Sequence, residues 1–218
     1  MSRGSQNIFP RWANYAPAIL LAFLIVAGGF ATFVIGYWFS PKNLDVGYSP
    51  KQPIRYSHKL HVGQLGIDCR YCHTGVDKSA NAGLPTSETC MKCHKTIKTD
   101  SPEIQKIAKS VETGKPIEWV KVHSLPDYSY FDHSRHINSG VSCYSCHGRV
   151  DQMERVHQVQ PLSMGWCLDC HRAPQKYVRP KSEVTNMMYS VPDQMIVGKK
   201  LVKQYHIETK EDCSVCHR

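Results

Sequence analysis

The stretch FDHSRHINSGVSCYSCH, residues 131–147, carries the pattern that organises this chain. It ends with Cys143 and Cys146, which are separated by two residues, and His147 follows directly. The same pattern, Cys-x-x-Cys-His, occurs five times in 218 residues and uses all ten cysteines. Random placement of ten cysteines and twelve histidines predicts about 0.025 occurrences. The repetition therefore indicates one shared chemical role for every cysteine.

The spacing of the motif suits covalent haem attachment. On a helical turn, residues i, i+3 and i+4 share a face, so two thiols can reach the vinyl groups of a porphyrin while the imidazole reaches its iron. A zinc knuckle also uses Cys-x-x-Cys, but the following histidine in all five copies favours haem. We therefore predict a c-type cytochrome with five covalently bound haem c groups. The attachment residues are Cys69, Cys72, Cys90, Cys93, Cys143, Cys146, Cys167, Cys170, Cys213 and Cys216, and the proximal iron ligands are His73, His94, His147, His171 and His217.

An internal repeat groups four of the motifs in pairs. Residues 56–61 read YSHKLH and residues 131–136 read FDHSRH, and each stretch precedes a motif. The second copy is one residue shorter between its histidine pair and its first cysteine. Each copy then continues through a proline, Pro85 or Pro161, to a second motif. We interpret the copies as two diheme modules with a fifth motif appended.

The predicted fold class is a mostly α, otherwise irregular multihaem cytochrome. Leu, Val, Ile and Phe are sparse after Pro41, so we expect haem to supply much of the core. Ser101, Pro102 and Gly114 bound an apolar-periodic helix. The predicted segments are a tail and transmembrane anchor over 1–41, a first diheme module over 42–100, a connecting helix and loop over 101–127, a second diheme module over 128–180, and a C-terminal segment with the fifth haem over 181–218.

The N-terminal region predicts a single membrane pass. No charged residue occurs from Trp12 to Pro41. A helix over residues 16–39 would span about 36 Å, against a hydrocarbon core of about 30 Å. A cleaved secretory signal is the alternative. The lysines and arginines that follow the helix favour a cytoplasmic location for that side. Covalent haem attachment takes place outside the bacterial cytoplasm, so we expect residues 42–218 on the periplasmic side of the cytoplasmic (inner) membrane.

The formal charge of +9 first suggests an anionic partner. Five haems would bring about ten propionate charges, which lysine and arginine side chains could offset. We therefore expect no nucleic-acid partner.

Five irons need five distal ligands, and seven histidines lie outside the motifs. They are His58, His61, His123, His133, His136, His157 and His206. The two His-x-x-His pairs are the strongest candidates, because i, i+3 spacing can aim two imidazoles at different haems. His206 precedes Cys213 by seven residues, as His136 precedes Cys143. The roles of His123 and His157 stay open, since a lone histidine can be either an iron ligand or merely a hydrogen-bonding group.

Methionine is a further possibility for a distal ligand. Met164 lies three residues before Cys167, and Met153 lies in the preceding loop. A Met/His haem would have a higher potential than its bis-His neighbours.

The histidine pair followed by Cys-x-x-Cys-His resembles the multihaem cytochromes of the c3 and c7 group. That resemblance implies that His58 and His133 serve the motif that follows them, while His61 and His136 serve another haem nearby.

The whole chain, with its one helix, two modules, the stretch WVKVHSLPD at 119–127 and the terminal motif, resembles the pentahaem cytochrome subunits of alternative complex III. This implies an electron-transfer subunit of a respiratory quinol:acceptor oxidoreductase rather than an enzyme by itself. The implied partners are an iron–sulfur subunit, quinone-binding membrane subunits, and a monohaem cytochrome or an oxidase. The electrons would come from quinol and pass to a periplasmic cytochrome or oxidase.

Two other functions compete with this interpretation. In the first, one anchored multihaem chain oxidises quinol by itself and feeds periplasmic reductases. In the second, a haem with an open iron reduces a small oxyanion. The surplus of histidines and the lack of an altered motif such as Cys-x-x-Cys-Lys argue against the second.

Overall fold

The computed structural model describes residues 10–39 and 45–217. It divides into two compact units, Met1–Leu44 and Asp45–Arg218. The predicted tail before Pro10 and the predicted boundary between residues 41 and 42 lie outside the described residues.

The N-terminal unit contains one long apolar helix, α1 (Ala16–Trp38). A 3₁₀ turn over Arg11–Tyr15 precedes this helix. Pro17 lies in its first turn, where the missing N–H costs no helical hydrogen bond. By length and composition, the helical stretch Trp12–Trp38 can cross a membrane, and none of its described side chains is buried. The predicted apolar helix is confirmed.

The second unit consists of short helices joined by loops. The α-helices are α2 (Cys69–Cys72), α3 (Ser87–His94), α4 (Pro102–Thr113), α5 (His133–Asn138), α6 (Cys143–His147), α7 (Met164–Arg172), α8 (Gln194–Gln204) and α9 (Cys213–Cys216). A π-helix covers Lys59–Gln64, and 3₁₀ turns cover Val150–Gln152, Pro174–Lys176 and Lys181–Glu183. Within 45–217 the only β-pairing is an isolated bridge between Val141 and Val178. The predicted mostly α and irregular fold is confirmed.

All five motifs, within the described region, lie on helical turns, as the spacing predicts. Polar residues start several of these helices by capping a free backbone N–H. The side chain of Asp68 accepts from the N–H of Arg70 at the start of α2, and that of Ser142 accepts from Tyr144 at the start of α6. Local sequence therefore forms each attachment turn.

The one-residue difference between the repeats has a structural explanation. The first histidine pair leads into the π-helix Lys59–Gln64, whereas the second lies in the α-helix α5. A π-helix closes i→i+5 hydrogen bonds and so accommodates one extra residue per turn. The longer first copy can therefore hold its histidines in the same arrangement as the second.

The apolar core is small. Among the described residues nine hydrophobic side chains are buried. Ile104 and Ile107 of α4 pack with Ile54, next to Cys90 and Trp119. α4 ends at Gly114 with φ of 68°, which confirms the predicted helix and its stop. This modest core agrees with the expectation that haem contributes apolar surface to the interior.

Candidate haem-binding sites

The motif histidines are oriented through their Nδ1 atoms. In the described region, Nδ1 lies near a backbone carbonyl oxygen in four of the five: His73 (Gly83, 2.7 Å), His94 (Ile97, 3.0 Å), His171 (Lys210, 2.8 Å) and His217 (Tyr128, 2.9 Å). A carbonyl can only accept, so Nδ1 carries the proton and donates. Nε2 is then left unprotonated, which is the form that binds iron.

The two His-x-x-His pairs have the same geometry. The ring of Tyr56 lies 4.8 Å from His58 at 89° and 4.4 Å from His61 at 25°. The ring of Phe131 lies 4.8 Å from His133 at 88° and 4.4 Å from His136 at 27°. The aromatic residue two positions before each pair therefore packs between the imidazoles. The matching position of this aromatic residue in both copies of the repeat is the sequence signal for its packing role.

Each module brings the second histidine of its pair to the second motif. The ring centres of His61 and His94 lie 6.1 Å apart, and those of His136 and His171 also lie 6.1 Å apart. Two imidazoles that bind one metal through Nε2, with bonds of about 2 Å, have ring centres about 6 Å apart.

The partners of Nδ1 are consistent with this arrangement. Nδ1 of His61 and of His136 each lies 2.8 Å from a carbonyl, of Ser57 and Asp132 respectively, so each Nε2 is free. Burial lowers the pKa of His136, which favours the neutral form that binds iron. Both pairs therefore fit bis-His haem iron.

The first histidine of each pair lies near the first motif of its module. Burial, and then His73 and His61, lower the pKa of His58 to about 4. Burial, then His123, and then the first histidines of both pairs among others, lower the pKa of His147 to about 3. These neutral imidazoles therefore meet the requirement for iron ligands.

The Nδ1 atoms of the two first histidines differ. Nδ1 of His133 lies 2.7 Å from the carbonyl oxygen of Ala80, which belongs to the first module. Within the described residues, Nδ1 of His58 is a buried nitrogen without a hydrogen-bond partner.

The cysteine thiols show which motifs are neighbours. In the polypeptide before haem attachment, burial and then the thiols of Cys69 and Cys93 raise the pKa of Cys72, so the first and second motifs adjoin. Interaction with Cys143 raises the pKa of Cys69, so the first and third motifs adjoin.

The same reasoning extends to the later motifs. Burial and then the thiols of Cys170 and Cys167 raise the pKa of Cys146 to about 12. Burial and then Cys216 raise the pKa of Cys167. The motifs therefore form a spatial series in the order second, first, third, fourth, fifth.

Backbone and core contacts produce the same neighbours. Val184 accepts hydrogen bonds from the N–H of Cys143 and the hydroxyl of Ser142, and it packs with Val76 beside the first motif. Thr185 donates to the carboxylate of Asp68 over 2.8 Å. The segment around Val184 thus joins the first and third motifs, although it lies far from both in sequence.

The fourth and fifth motifs share one cavity of about 230 Å³. Its lining includes His171, His217, Cys167, Cys213 and Met164. His206, which the sequence suggests as the distal ligand here, does not line this cavity. It is exposed, with φ of 53°. Among the described residues, no histidine from outside the motifs lines the cavity. Met164 does line it, although 62% of Met164 is exposed, so position at the cavity and not burial distinguishes it from His206.

His157 and Met153 line a separate cavity of about 670 Å³ beside the third motif. The cavity wall also carries Arg149, Lys176 and Arg179. Such a cluster of cations suits carboxylate groups like haem propionates. This arrangement fits His157 as a hydrogen-bonding group at the edge of a haem site.

His123 lies against the third motif in an arrangement that sequence reasoning did not foresee. Its Nε2 is 3.4 Å from Nδ1 of His147, and the two rings are 4.4 Å apart at 82°. The sequence also does not predict which backbone carbonyls orient the other motif histidines. Every residue carries a carbonyl, and spacing along the chain does not select one.

Comparison with known proteins relates the chain to multihaem cytochromes. Residues 129–218, which contain the second module and the fifth motif, match the family of cytochrome c7 and related cytochrome c. This part of the chain is similar to cytochrome c7, a family whose members carry covalently bound haem c.

A curated relative extends the likeness to multihaem cytochromes of quinone-linked enzymes. The chain is 38% identical over 116 residues to the menaquinone reductase, multiheme cytochrome c subunit, of Nitratidesulfovibrio vulgaris. The alignment covers 52% of this chain and 53% of the relative, so the chain spans about half the length of that protein. Together the two likenesses support a multihaem cytochrome c.

Proposed function

We propose that this chain is a pentahaem electron relay, anchored in the bacterial cytoplasmic membrane with residues 42–218 on the periplasmic side. The observation that carries the proposal is the spatial series of five motifs, in which ring contacts, the packing around Val184 and a shared cavity join neighbouring motifs from the second to the fifth. Haem c, when bound, exchanges one electron at its iron. A continuous series of such sites suits transfer along the chain better than chemistry at one of them.

The proposed ligands follow from the contacts of the described residues. Each haem takes its motif histidine and one further side chain. The pairs are His73 with His58, His94 with His61, His147 with His133, His171 with His136, and His217 with Met164.

The proposed pairs would give every haem iron two protein ligands. Backbone carbonyls orient most of the imidazoles, and burial keeps them neutral. Six-coordinate irons leave no open position for a substrate, which argues against an oxyanion reductase. The two diheme modules over 42–100 and 128–180 would each supply two of these sites.

The proposed complex is a respiratory quinol:acceptor oxidoreductase similar to alternative complex III. Its other subunits would be an iron–sulfur protein, quinone-binding membrane subunits, and a monohaem cytochrome or an oxidase. Two observations support a membrane complex. α1 is apolar enough to cross a membrane, and the relative from N. vulgaris is a subunit of a menaquinone reductase. One helix offers no enclosed quinone site, so we place that site in another subunit.

The relative favours a second candidate, in which electrons run toward quinone. Its name describes a menaquinone reductase, so that protein works in the reducing direction. A series of haems carries electrons either way, and the potentials of the partners set the direction. The residues proposed here as ligands are the same in both cases.

Purification in mild detergent tests the proposal. We expect co-purification of a multi-spanning membrane protein and an iron–sulfur protein, and oxidation of a quinol analogue or reduction of a quinone by the intact complex. The isolated chain should be reduced by dithionite but show negligible turnover with quinol or nitrite. Robust quinol oxidation by the isolated chain would establish the self-sufficient dehydrogenase instead, and nitrite turnover would establish the reductase.

A further inference from the structure

His147 has an unusual partner among the five motif histidines, all of which the structure describes. The other four direct Nδ1 at a backbone carbonyl, at distances of 2.7–3.0 Å. Nδ1 of His147 instead faces Nε2 of His123 at 3.4 Å, with the rings nearly perpendicular at 82°. The third motif is therefore oriented by a side chain where the other four are oriented by the backbone.

The tautomers follow from the chemistry of imidazole. If Nε2 of His147 binds iron, its Nδ1 carries the proton and donates to His123. Nε2 of His123 is then the acceptor and its own proton lies on Nδ1. In this arrangement Nε2 of His123 accepts a hydrogen bond and is therefore not free to bind a metal.

The internal repeat supplies an independent reason to separate His123 from the iron. His133 occupies the position that His58 occupies in the first module, and its ring meets Phe131 at the distance and angle with which His58 meets Tyr56. This equivalence supports the proposed pairing, in which His133 is the distal ligand of the third motif. No coordination position then remains for His123 at that haem.

We propose that His123 is a positioning residue that orients His147 and tunes the potential of the third motif's haem. The inference rests on the proposed haem ligands but not on the partners of the complex. An imidazole nitrogen accepts a hydrogen bond more strongly than a backbone amide carbonyl, and a stronger acceptor raises the basicity of the ligating imidazole. A more basic ligand favours the ferric state and lowers the potential. The third motif stands in the middle of the series, where its potential affects transfer in both directions.

Replacement of His123 in the full chain tests this role. In His123→Ala, we expect five covalent haems, all low-spin, with the midpoint potential of one haem shifted upward and the other four unchanged. In His123→Gln, whose amide oxygen can accept in place of the imidazole, the shift should be smaller. Ser124→Ala, an exposed neighbour in the same loop, serves as the matched control and should leave every potential unchanged.

Spin state and potential separate the possible outcomes. A new high-spin haem in His123→Ala would show that His123 is an iron ligand and would overturn the proposal. Unchanged potentials with intact spectra would overturn it as well. If His123→Ala fails to load five haems, His123→Leu replaces it, because leucine fills the space but accepts no hydrogen bond, and an unshifted potential in that variant counts against the proposal. Co-purification with membrane partners is measured separately, so failure of the relay hypothesis remains distinguishable.

Discussion

At the residue scale, each proposed bis-His site depends on an imidazole whose Nδ1 is already occupied. His136 donates from Nδ1 to the carbonyl of Asp132, and its ring centre lies 6.1 Å from that of His171. The first module repeats both features with His61 and His94. The ring is thus held before iron binds, which reduces the entropy lost on coordination.

Replacing His136 with Ala should therefore disturb one haem. We expect one high-spin or ligand-exchangeable iron, with its potential raised by about 59 mV for each tenfold loss in ferric-state preference. Electron paramagnetic resonance and redox titration measure the two effects. His61→Ala should give the same change in the first module. Spectra and potentials that match the unsubstituted protein would refute the ligand pairs.

A second residue-scale prediction concerns Met164. Met164→Ala should abolish the sulfur-to-iron charge-transfer absorption and lower the potential of the haem with the highest value, because a thioether ligand favours the ferrous state. Met164→His should restore a low-spin haem at a lower potential. His206→Ala should have no effect on any haem. A high-spin haem in His206→Ala would instead support the ligand that spacing suggests.

Acidification provides a third test at this scale. The pKa of His58 is about 4 in the folded chain, below its ordinary value of 6.5, mainly because of burial. The unfolded chain therefore binds more protons between these values, so stability is complete above about pH 6.5 and falls as the pH drops toward 4. Coordination of Nε2 to iron competes with this protonation, so in the haem-loaded protein we expect His58 to release its iron only below this window. A high-spin haem that appears between pH 6.5 and pH 4 in an acid titration followed by absorbance would contradict this expectation.

At the element scale, the π-helix Lys59–Gln64 joins the two modules. It packs against the 3₁₀ turn Val150–Gln152, which follows the third motif. Gly63 lies at this contact, where a Cβ atom would collide with the carbonyl of Asp151. The element therefore does two things, since it absorbs the extra residue of the first repeat and allows the close approach of the third motif.

Gly63→Val should separate these elements. The added side chain overpacks the contact, and we expect a loss of about 1–3 kcal/mol in the free energy of unfolding. Denaturant unfolding followed by circular dichroism measures it. Gln64→Ala, one position later and exposed, should change stability by less than about 0.5 kcal/mol. Equal stabilities for the two variants would show that the contact does not constrain the fold.

At the scale of the whole molecule, we expect haem attachment to contribute to the stability of the fold. Few apolar side chains are buried among the described residues, and two small clusters surround Ile54 and Val76. Covalent haems would add apolar surface to this interior, as metals and disulfides do for other small cores. The loss of one haem is therefore expected to weaken folding as well as electron transfer.

The number of haems is directly measurable. The intact mass should exceed the polypeptide mass by five haems, even after extraction with acid and organic solvent, because thioether bonds survive this treatment. Mass spectrometry of protein from a host with a complete haem-attachment system provides the value. A mass that corresponds to four haems or fewer would show that at least one motif carries no haem.

Much of this protein follows from sequence by itself, because the relevant interactions are local. The Cys-x-x-Cys-His spacing places three side chains on one helical face whatever surrounds it. The apolar stretch that becomes α1, the stop at Gly114 and the repeated histidine pairs are equally local signals. They predict the helical fold class, the apolar helix and the attachment residues without reference to the rest of the chain.

The tertiary structure decided which sites meet. His61 faces His94, Cys69 meets Cys143 and His123 reaches His147 because loops carry distant segments together, and spacing along the chain does not encode such paths. His206 shows most clearly what spacing along the chain does not predict. Its separation from Cys213 matches that of His136 from Cys143, yet the backbone at His206 turns with positive φ and leaves the ring exposed. The order of the five motifs is likewise a property of packing, since Val184 links two motifs that lie far apart in sequence.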